Sequence, residues 1–319
     1  MTRSLYIDDS WRGDYGIGRY SREVLSRLTL PWTRLRSLGN PGSPQNLLIP
    51  RLTKPNALIY SPGYNAAPTP QQQIVTIHDL IHLQEGSRRY RDYYTHVLRP
   101  AVLRSRTVFT VSETSARALT EWIDHPDVEI VVTGNGRSPA FTPTGGEEPG
   151  KPYVLFVGNL KPHKNLSVIL SAIKETNEVE LVTVTPNPSA TISLANSLGV
   201  ADRVRSLGQL GDHELISLYR GARATILPSL IEGFGLPALE SVSCGTPVIY
   251  WAGCESVAEI VGTCGWAAVS SDDPNEWADL IDRSLATYNF PAMTEQVAKY
   301  DWDRVASTIE EKLDEVLQR

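Results

Sequence analysis

Two glutamates separated by seven residues enclose a glycine-rich turn in Glu232-Gly233-Phe234-Gly235-Leu236-Pro237-Ala238-Leu239-Glu240, directly after the apolar run ATILPS. Gly233 and Gly235 permit tight backbone turns, and Pro237 suits the first positions of a helix, where a missing N–H costs nothing. The segment therefore reads as strand, glycine loop and helix N-terminus, and the amides and dipole of such an end accept a phosphate. A carboxylate there repels phosphate, so Glu232 and Glu240 are expected to accept hydrogen bonds from neutral hydroxyls beside it. Hydroxyls on both sides of a diphosphate are the chemistry of a nucleotide sugar. The bland alternative is a pair of solvated glutamates near a helix start.

Fewer signals stand elsewhere. His78 ends an apolar strand and precedes Asp79, which puts it at the carboxyl edge where parallel sheets bind ligands; a histidine hydrogen-bonded into its own loop is the rival reading. Gly16-Ile17-Gly18 lacks the third glycine of a dinucleotide fingerprint, Ser21 standing there, and a polar stretch separates it from the preceding strand. It is expected to close on a diphosphate through its backbone, with an ordinary glycine helix entry as the alternative. Ser112 and Glu113 follow the strand Val108–Val111, where capping a helix is one reading. His82, His96, His125 and His213 receive no role. Cys244, Cys254 and Cys264 match neither a disulfide framework nor a metal-ligand spacing and read as buried thiols.

The elements that must position these residues alternate. In the first half come strands at Leu5–Ile7, Leu58–Tyr60, Ile74–Ile77 and Val108–Val111, with helical patterns at Tyr20–Leu28 and after Arg91. A Pro- and Gly-rich stretch, Ser138 to Pro152, then reads as a linker. A second series follows, with strands from Tyr153, Glu180, Val204, Ala224 and Pro247 and helices from Leu166, near Thr191–Leu198, at Asp212–Tyr219, from Pro237 and around Glu276–Leu285. Strand–helix alternation implies parallel sheets covered on both faces, hence two Rossmann-like domains binding a ligand where their strand ends face each other. The expected division is 1–148, 149–300 and a closing amphipathic helix at 301–319, long enough to pack across the domain boundary; the resemblance described below implies that it packs back on the first domain.

The 319 residues, 41% hydrophobic and 21% charged, are those of an ordinary globular chain of about two domains. No apolar run approaches the roughly 20 residues of a membrane span, and the N-terminus shows no signal-peptide pattern, so a cytoplasmic location is expected. The net charge of −6 hides an asymmetry: residues 1–150 carry 17 Lys+Arg against 14 Asp+Glu, a balance of +3, and residues 151–319 carry 13 against 22, a balance of −9. Six arginines and three tyrosines accompany one acid between Arg88 and Arg106. Such a stretch is either a solvated helix face or a surface for an anionic acceptor, an anionic lipid or nucleic acid; the acidic pI near 5.6 argues against nucleic acid.

EGFGLPALE followed by SCGTPVI resembles the signature of the retaining glycosyltransferases of family 4, which adopt the GT-B fold. GDYGIGRYSREVL, TIHDL, FTVSE, FVGNLKPHKNL, SLGQLGDHEL and YDWDRVA resemble further segments of that family in the same order. The resemblance implies an α/β chain of two Rossmann-like β/α/β domains facing across a cleft, with a C-terminal crossover helix. It implies that Glu240 holds ribose hydroxyls and Glu232 donor-sugar hydroxyls, with the backbone of Phe234, Gly235 and Leu236 on the sugar and diphosphate. Gly16, Gly18, Asn159, Gly208 and Leu210 are further implied donor contacts, His78 lies near the reacting centre, and Ser112, Glu113, Arg88 and Arg89 lie on the acceptor side. Lys164 matches the family's phosphate-binding lysine, in keeping with a cation that offsets charge on a departing diphosphate. Where the family usually has an arginine after the glycine, this chain has Asn159; either Lys164 carries more of that charge, or Lys161 or another basic residue substitutes.

The implied activity is transfer of a mannosyl- or glucosyl-type sugar, with retention, from a GDP- or UDP-sugar to a hydroxyl of a glycan or lipid-linked acceptor in polysaccharide, glycolipid or glycoconjugate biosynthesis. No cofactor or metal is expected, because the chain shows no evident Asp-x-Asp metal motif. The sequence offers no convincing nucleophile, which favours a front-face substitution in which the leaving phosphate oxygen helps deprotonate the acceptor. Peripheral contact with the inner membrane face is a further expectation, and nucleic acid is not an expected partner. The rivals are a nucleotide-sugar isomerase or epimerase of the same fold, a non-catalytic nucleotide-binding module and a nicotinamide-dependent oxidoreductase.

Overall fold

The computed structural model describes residues 3–13, 16–35, 47–48, 53–144, 151–176, 179–286 and 293–319. Two compact units divide the chain, Met1–Gly136 with Tyr300–Arg319, and Arg137–Lys299.

The first unit opens with β1 (Leu5–Asp8), α1 (Ile17–Leu25), β2 (Trp32–Leu35), β3 (Leu58–Ser61) and β4 (Gln72–Val75). It continues through α2 (Ile81–Glu85), α3 (Arg88–Tyr93), a π-helical turn at Tyr94–Leu98, α4 (Arg99–Ser105), β5 (Thr107–Thr110), α5 (Glu113–Ile123) and β6 (Glu129–Val132). Four strands run parallel in the order β2-β1-β3-β4, and β5 pairs with β6. A parallel bridge between Thr76 and Phe109 joins the two sets. Every residue of β3 and β5 is buried, the near-continuous apolar and β-branched pattern of strands covered on both faces.

The second unit holds β7 (Tyr153–Val157), a 3₁₀ turn at Pro162–Lys164, α6 (Leu166–Glu175), β8 (Glu180–Val184), α7 (Pro188–Ser197), β9 (Val204–Leu207), α8 (Asp212–Gly221) and β10 (Ala224–Leu227). Then come α9 (Leu236–Ser243), β11 (Val248–Trp251), α10 (Glu255–Val261), β12 (Gly265–Ala268), α11 (Pro274–Leu285) and α12 (Met293–Ala298). Its six strands are parallel in the order β12-β11-β10-β7-β8-β9, the doubly wound arrangement. The division falls ahead of the expected 148, because Phe141 is buried with Tyr153, Leu155 and Tyr219 in the second unit's core. Arg220 also holds the Thr142 carbonyl and hydroxyl at 2.7 and 3.0 Å. Residues 145–150 of the expected linker lie outside the described residues.

The chain returns to the first unit with α13 (Trp302–Gln318), which lies on α1. Arg27 donates to Asp303 at 2.7 Å, and the Glu310 carboxylate accepts the backbone N–H of Thr29 and Leu30. The chain's one Asp-x-Asp triplet, Asp301-Trp302-Asp303, is thereby taken up: Asp301 caps α13 by accepting the Asp303 N–H at 2.9 Å. No helix among the described residues is long and apolar enough to cross a membrane.

Candidate active site

In the second unit the strand order reverses between β7 and β10, and ligands of doubly wound sheets lie outside the carboxyl ends of strands at such a reversal. The loops after these two strands carry Lys164 and Glu232. They are tied together by the Leu230 N–H, which donates to the His163 carbonyl at 2.7 Å. The Lys164 ammonium donates to Glu232 Oε1 at 2.5 Å, with the two side chains only 15% and 11% exposed. Ser256 of α10 anchors the Glu232 carbonyl at 2.9 Å. Lysine has three donors and a carboxylate about four lone-pair sites, so each partner keeps capacity for a ligand.

Beyond Glu232 the chain turns through Gly235, at φ +108°, into α9 with Pro237 in its first turn. A side chain at 235 would be strained by that φ and would also press on Val257. The Ala238 and Leu239 N–H groups turn back to the Gly235 carbonyl, and Pro237 has none. The amides that α9 does not itself use are therefore those at its entry, Gly235 and Leu236. One turn on, Glu240 Oε2 accepts the Tyr219 hydroxyl at 2.9 Å. Sequence reasoning gave Tyr219 no role beyond the helix Asp212–Tyr219; a buried phenol must find a polar partner, and that was its signal. Leu210 packs against the cluster that contains Tyr219, so the loop after β9 lies near it.

Asn159 accepts the Lys161 N–H at 3.0 Å and so shapes its own turn, and the Gly158 N–H donates to the Val184 carbonyl. Lys161 is exposed; of the two lysines that the sequence left open, Lys164 is the one against Glu232. The cysteines are free and buried. Burial, and secondly the Glu232 carboxylate, pushes the Cys254 thiol up to about 11, which leaves it unreactive near neutrality.

In the first unit the order reverses between β1 and β3. Asp8 is 4% exposed there, its carboxylate accepting the Ser10 N–H at 3.0 Å, the Ser61 hydroxyl at 2.9 Å and the Asn65 amide at 2.9 Å. Trp11 donates to the same Ser61 hydroxyl at 3.3 Å and meets Tyr64 edge-on with ring centroids 4.8 Å apart. Gly16 is exposed at the entry of α1. Gly18 is buried, and a Cβ there would stand 2.8 Å from the backbone of Arg12, so glycine at 18 serves the close approach of the chain's own loop. Asp14 and Tyr15 of this segment lie outside the described residues.

His78 bonds through Nε2 to the Pro62 carbonyl at 2.9 Å and meets Tyr20 edge-on at 4.7 Å. Burial holds its pKa below the ordinary 6.5, against the Pro62 and Asp79 contributions. The neutral ring then donates from Nε2 and keeps Nδ1 as an acceptor. Ser112 caps α5, its hydroxyl accepting the Ser115 N–H at 3.0 Å, the capping role its position allowed; Glu113 is exposed in the first turn. Arg88 and Arg89 are exposed on α3, with Arg88 3.8 Å from Asp92.

The protein is similar in fold to a glycosyltransferase from Rickettsia africae ESF-5, with a TM-score of 0.70 and 15% identity over 99% of both chains. It is likewise similar to a sucrose-phosphate synthase from Thermosynechococcus elongatus, with a TM-score of 0.66 and 18% identity over 99% of this chain and 98% of that one. These likenesses and the two parallel sheets define an α/β protein of the GT-B fold, with two Rossmann-like domains. The family profile of glycosyl transferases group 1 matches residues 138–300, and the chain belongs to that family. Among curated proteins it is 34% identical to the D-inositol 3-phosphate glycosyltransferase of Mycolicibacterium smegmatis over 190 residues, 56% of this chain and 43% of that one. The corresponding protein of Salinispora arenicola is 32% identical over 218 residues, 58% of this chain and 48% of that one. The matches span less than half the length of these relatives.

Proposed function

We propose that this group 1 glycosyltransferase moves a sugar from a nucleoside diphosphate sugar, GDP- or UDP-linked, to a hydroxyl of a glycan or lipid-linked acceptor, with retention at the anomeric carbon. The observation that carries the reading is the Lys164–Glu232 pair at the β7–β10 reversal, beside the entry of α9 and one turn from Glu240. On this reading the α9 entry amides and Lys164 hold the diphosphate, Glu240 the ribose hydroxyls and Glu232 the sugar hydroxyls. As the glycosidic C–O bond breaks, its electron pair passes to the leaving phosphate oxygen, which takes the acceptor proton as the new C–O bond forms on the same face. Lys164 offsets the charge that grows on the phosphate, and Glu232 fixes where that ammonium stands. Positioning and charge stabilisation then replace a general base, and a metal is dispensable.

The test is calorimetric titration of UDP, GDP, dTDP and ADP into the wild type and Glu240→Ala, with and without EDTA. Binding of one nucleoside diphosphate, weakened in the variant and unchanged by EDTA, supports the reading; binding of none defeats it. Donor turnover without any acceptor would indicate an isomerase instead. NMR of the product's anomeric proton decides retention.

A further inference from the structure

Four aromatic rings make a row in the first unit that the donor chemistry does not use. Trp11 follows β1 and Tyr64 follows β3, their centroids 4.8 Å apart; Tyr64 meets His82 of α2 at 5.3 Å, and His82 stacks on Tyr90 of α3 at 4.7 Å with ring planes 17° apart. Gly86 makes the last contact possible. Its N–H donates to the His82 carbonyl at 3.0 Å, and a Cβ at 86 would fall 2.0 Å from that oxygen. No larger residue lets α3 fold back so that Tyr90 lies on His82. Behind them the π-helical turn Tyr94–Leu98 re-aims the chain, and π turns recur at functional sites. Tyr93 beside it is consumed structurally, donating to the Tyr64 carbonyl at 2.8 Å and accepting the Ala66 N–H at 2.7 Å.

Tyr90 has no such account. It is 39% exposed although one face lies on His82, so its other face looks into water. No residue of α3 is buried; Arg88, Arg89 and Arg91 are exposed and flank Tyr90 in sequence, and the helix carries one acid, Asp92.

We propose that the exposed helix α3 is a subsite for an acidic sugar unit of the acceptor, the Tyr90 ring stacking on the sugar's C–H face and the neighbouring arginines pairing with its carboxylate or phosphate. The proposal rests on the glycosyltransferase reading above. An aromatic face with negative quadrupole attracts C–H edges, and guanidinium forks match carboxylate and phosphate oxygens. A bilayer is the poorer partner, because interfacial helices insert Trp, Phe or Leu and α3 exposes Arg88, Arg89, Tyr90, Arg91 and Asp92.

The experiment titrates glucuronic acid, glucose 6-phosphate and glucose into the full chain by ligand-observed NMR, and UDP and GDP in parallel. At least one acidic sugar is expected to bind more tightly than glucose by about tenfold, the better of the two naming the group recognised. Tyr90→Ala is expected to weaken that binding about tenfold, and Tyr90→Phe to leave it within about twofold. The triple variant Arg88→Gln, Arg89→Gln, Arg91→Gln is expected to reduce it to the level of glucose. Nucleotide binding stays unchanged in all three variants, so a failure here is separable from a failure of the donor assignment. No preference for an acidic sugar, equal binding by Tyr90→Ala, or an effect of the triple variant confined to sedimentation with phosphatidylglycerol vesicles would overturn the proposal.

Discussion

At the β7–β10 reversal the second unit sets an ammonium against a carboxylate beside a helix entry, whereas at the β1–β3 reversal the first unit sets an aspartate held by three hydrogen bonds close to indole and phenol rings. The topological device is the same and the chemistry is not. Asp8 spends its lone pairs on Ser10, Ser61 and Asn65 and so organises its loop. Lys164 and Glu232 spend one bond on each other, in a place dry enough for charge to act strongly. Ion pairs taken out of water contribute little to stability, so stability alone does not account for this one. Opposed charges mark one reversal and packed rings the other.

That division can be broken by substitution. Lys164→Ala is expected to lower the transfer rate about a hundred- to a thousandfold, the usual cost of removing one donor from developing charge; single-turnover transfer with the donor found by titration measures it. Glu240→Ala should weaken nucleoside diphosphate binding about ten- to a hundredfold, since hydrogen bonds to a charged group are worth about 1.5–3 kcal/mol. Tyr219→Phe, which only orients that carboxylate, should cost a few-fold. Asp8→Ala probes the other reversal: it strands the Ser61 and Asn65 donors and should cost about 1–3 kcal/mol in denaturant unfolding while leaving nucleotide affinity intact. A loss of nucleotide affinity in Asp8→Ala would dissolve the contrast.

The smallest effect is the pH dependence carried by His78. Burial holds its folded pKa below 6.5, so on acidification the unfolded chain takes up a proton that the folded chain refuses. Its contribution to stability is complete above pH 6.5 and is lost as pH falls through the folded pKa. In His78→Gln, urea midpoints between pH 5 and 7 should show a flatter slope, and an unchanged slope would place the titrating group elsewhere.

The glycine turn and the start of α9 could be read from the sequence because they sit in one continuous stretch, from Glu232 to Glu240, at the junction of a strand and a helix. The ion pair could not, because Lys164 and Glu232 are 68 positions apart and only the strand order makes their loops neighbours. Edge strands were missed for a related reason. β2 exposes Thr33 and Arg34, and β12 is Gly-Trp-Ala-Ala, so neither shows the apolar run of a central strand. The aromatic row was illegible because its rings are scattered along the sequence: Trp11, Tyr64 and His82 come from loops and helices after three different strands. Phe141 corrected the domain boundary in the same way, being an apolar residue inside a Pro- and Gly-rich stretch whose composition says linker.

The first unit is closed by a helix from the far end of the chain. Besides lying on α1, α13 sends Lys312 to Glu129 of β6 at 2.6 Å and takes Arg3 on its Val316 carbonyl at 3.1 Å. A ribosome delivers the opening residues of that unit first and its last helix some 300 residues later, whereas the second unit is contiguous and complete before then. Vectorial synthesis thus inverts the usual order: the segment made second can finish folding first, and the nascent first unit must wait, its α1 face unsheltered, until the final turns emerge.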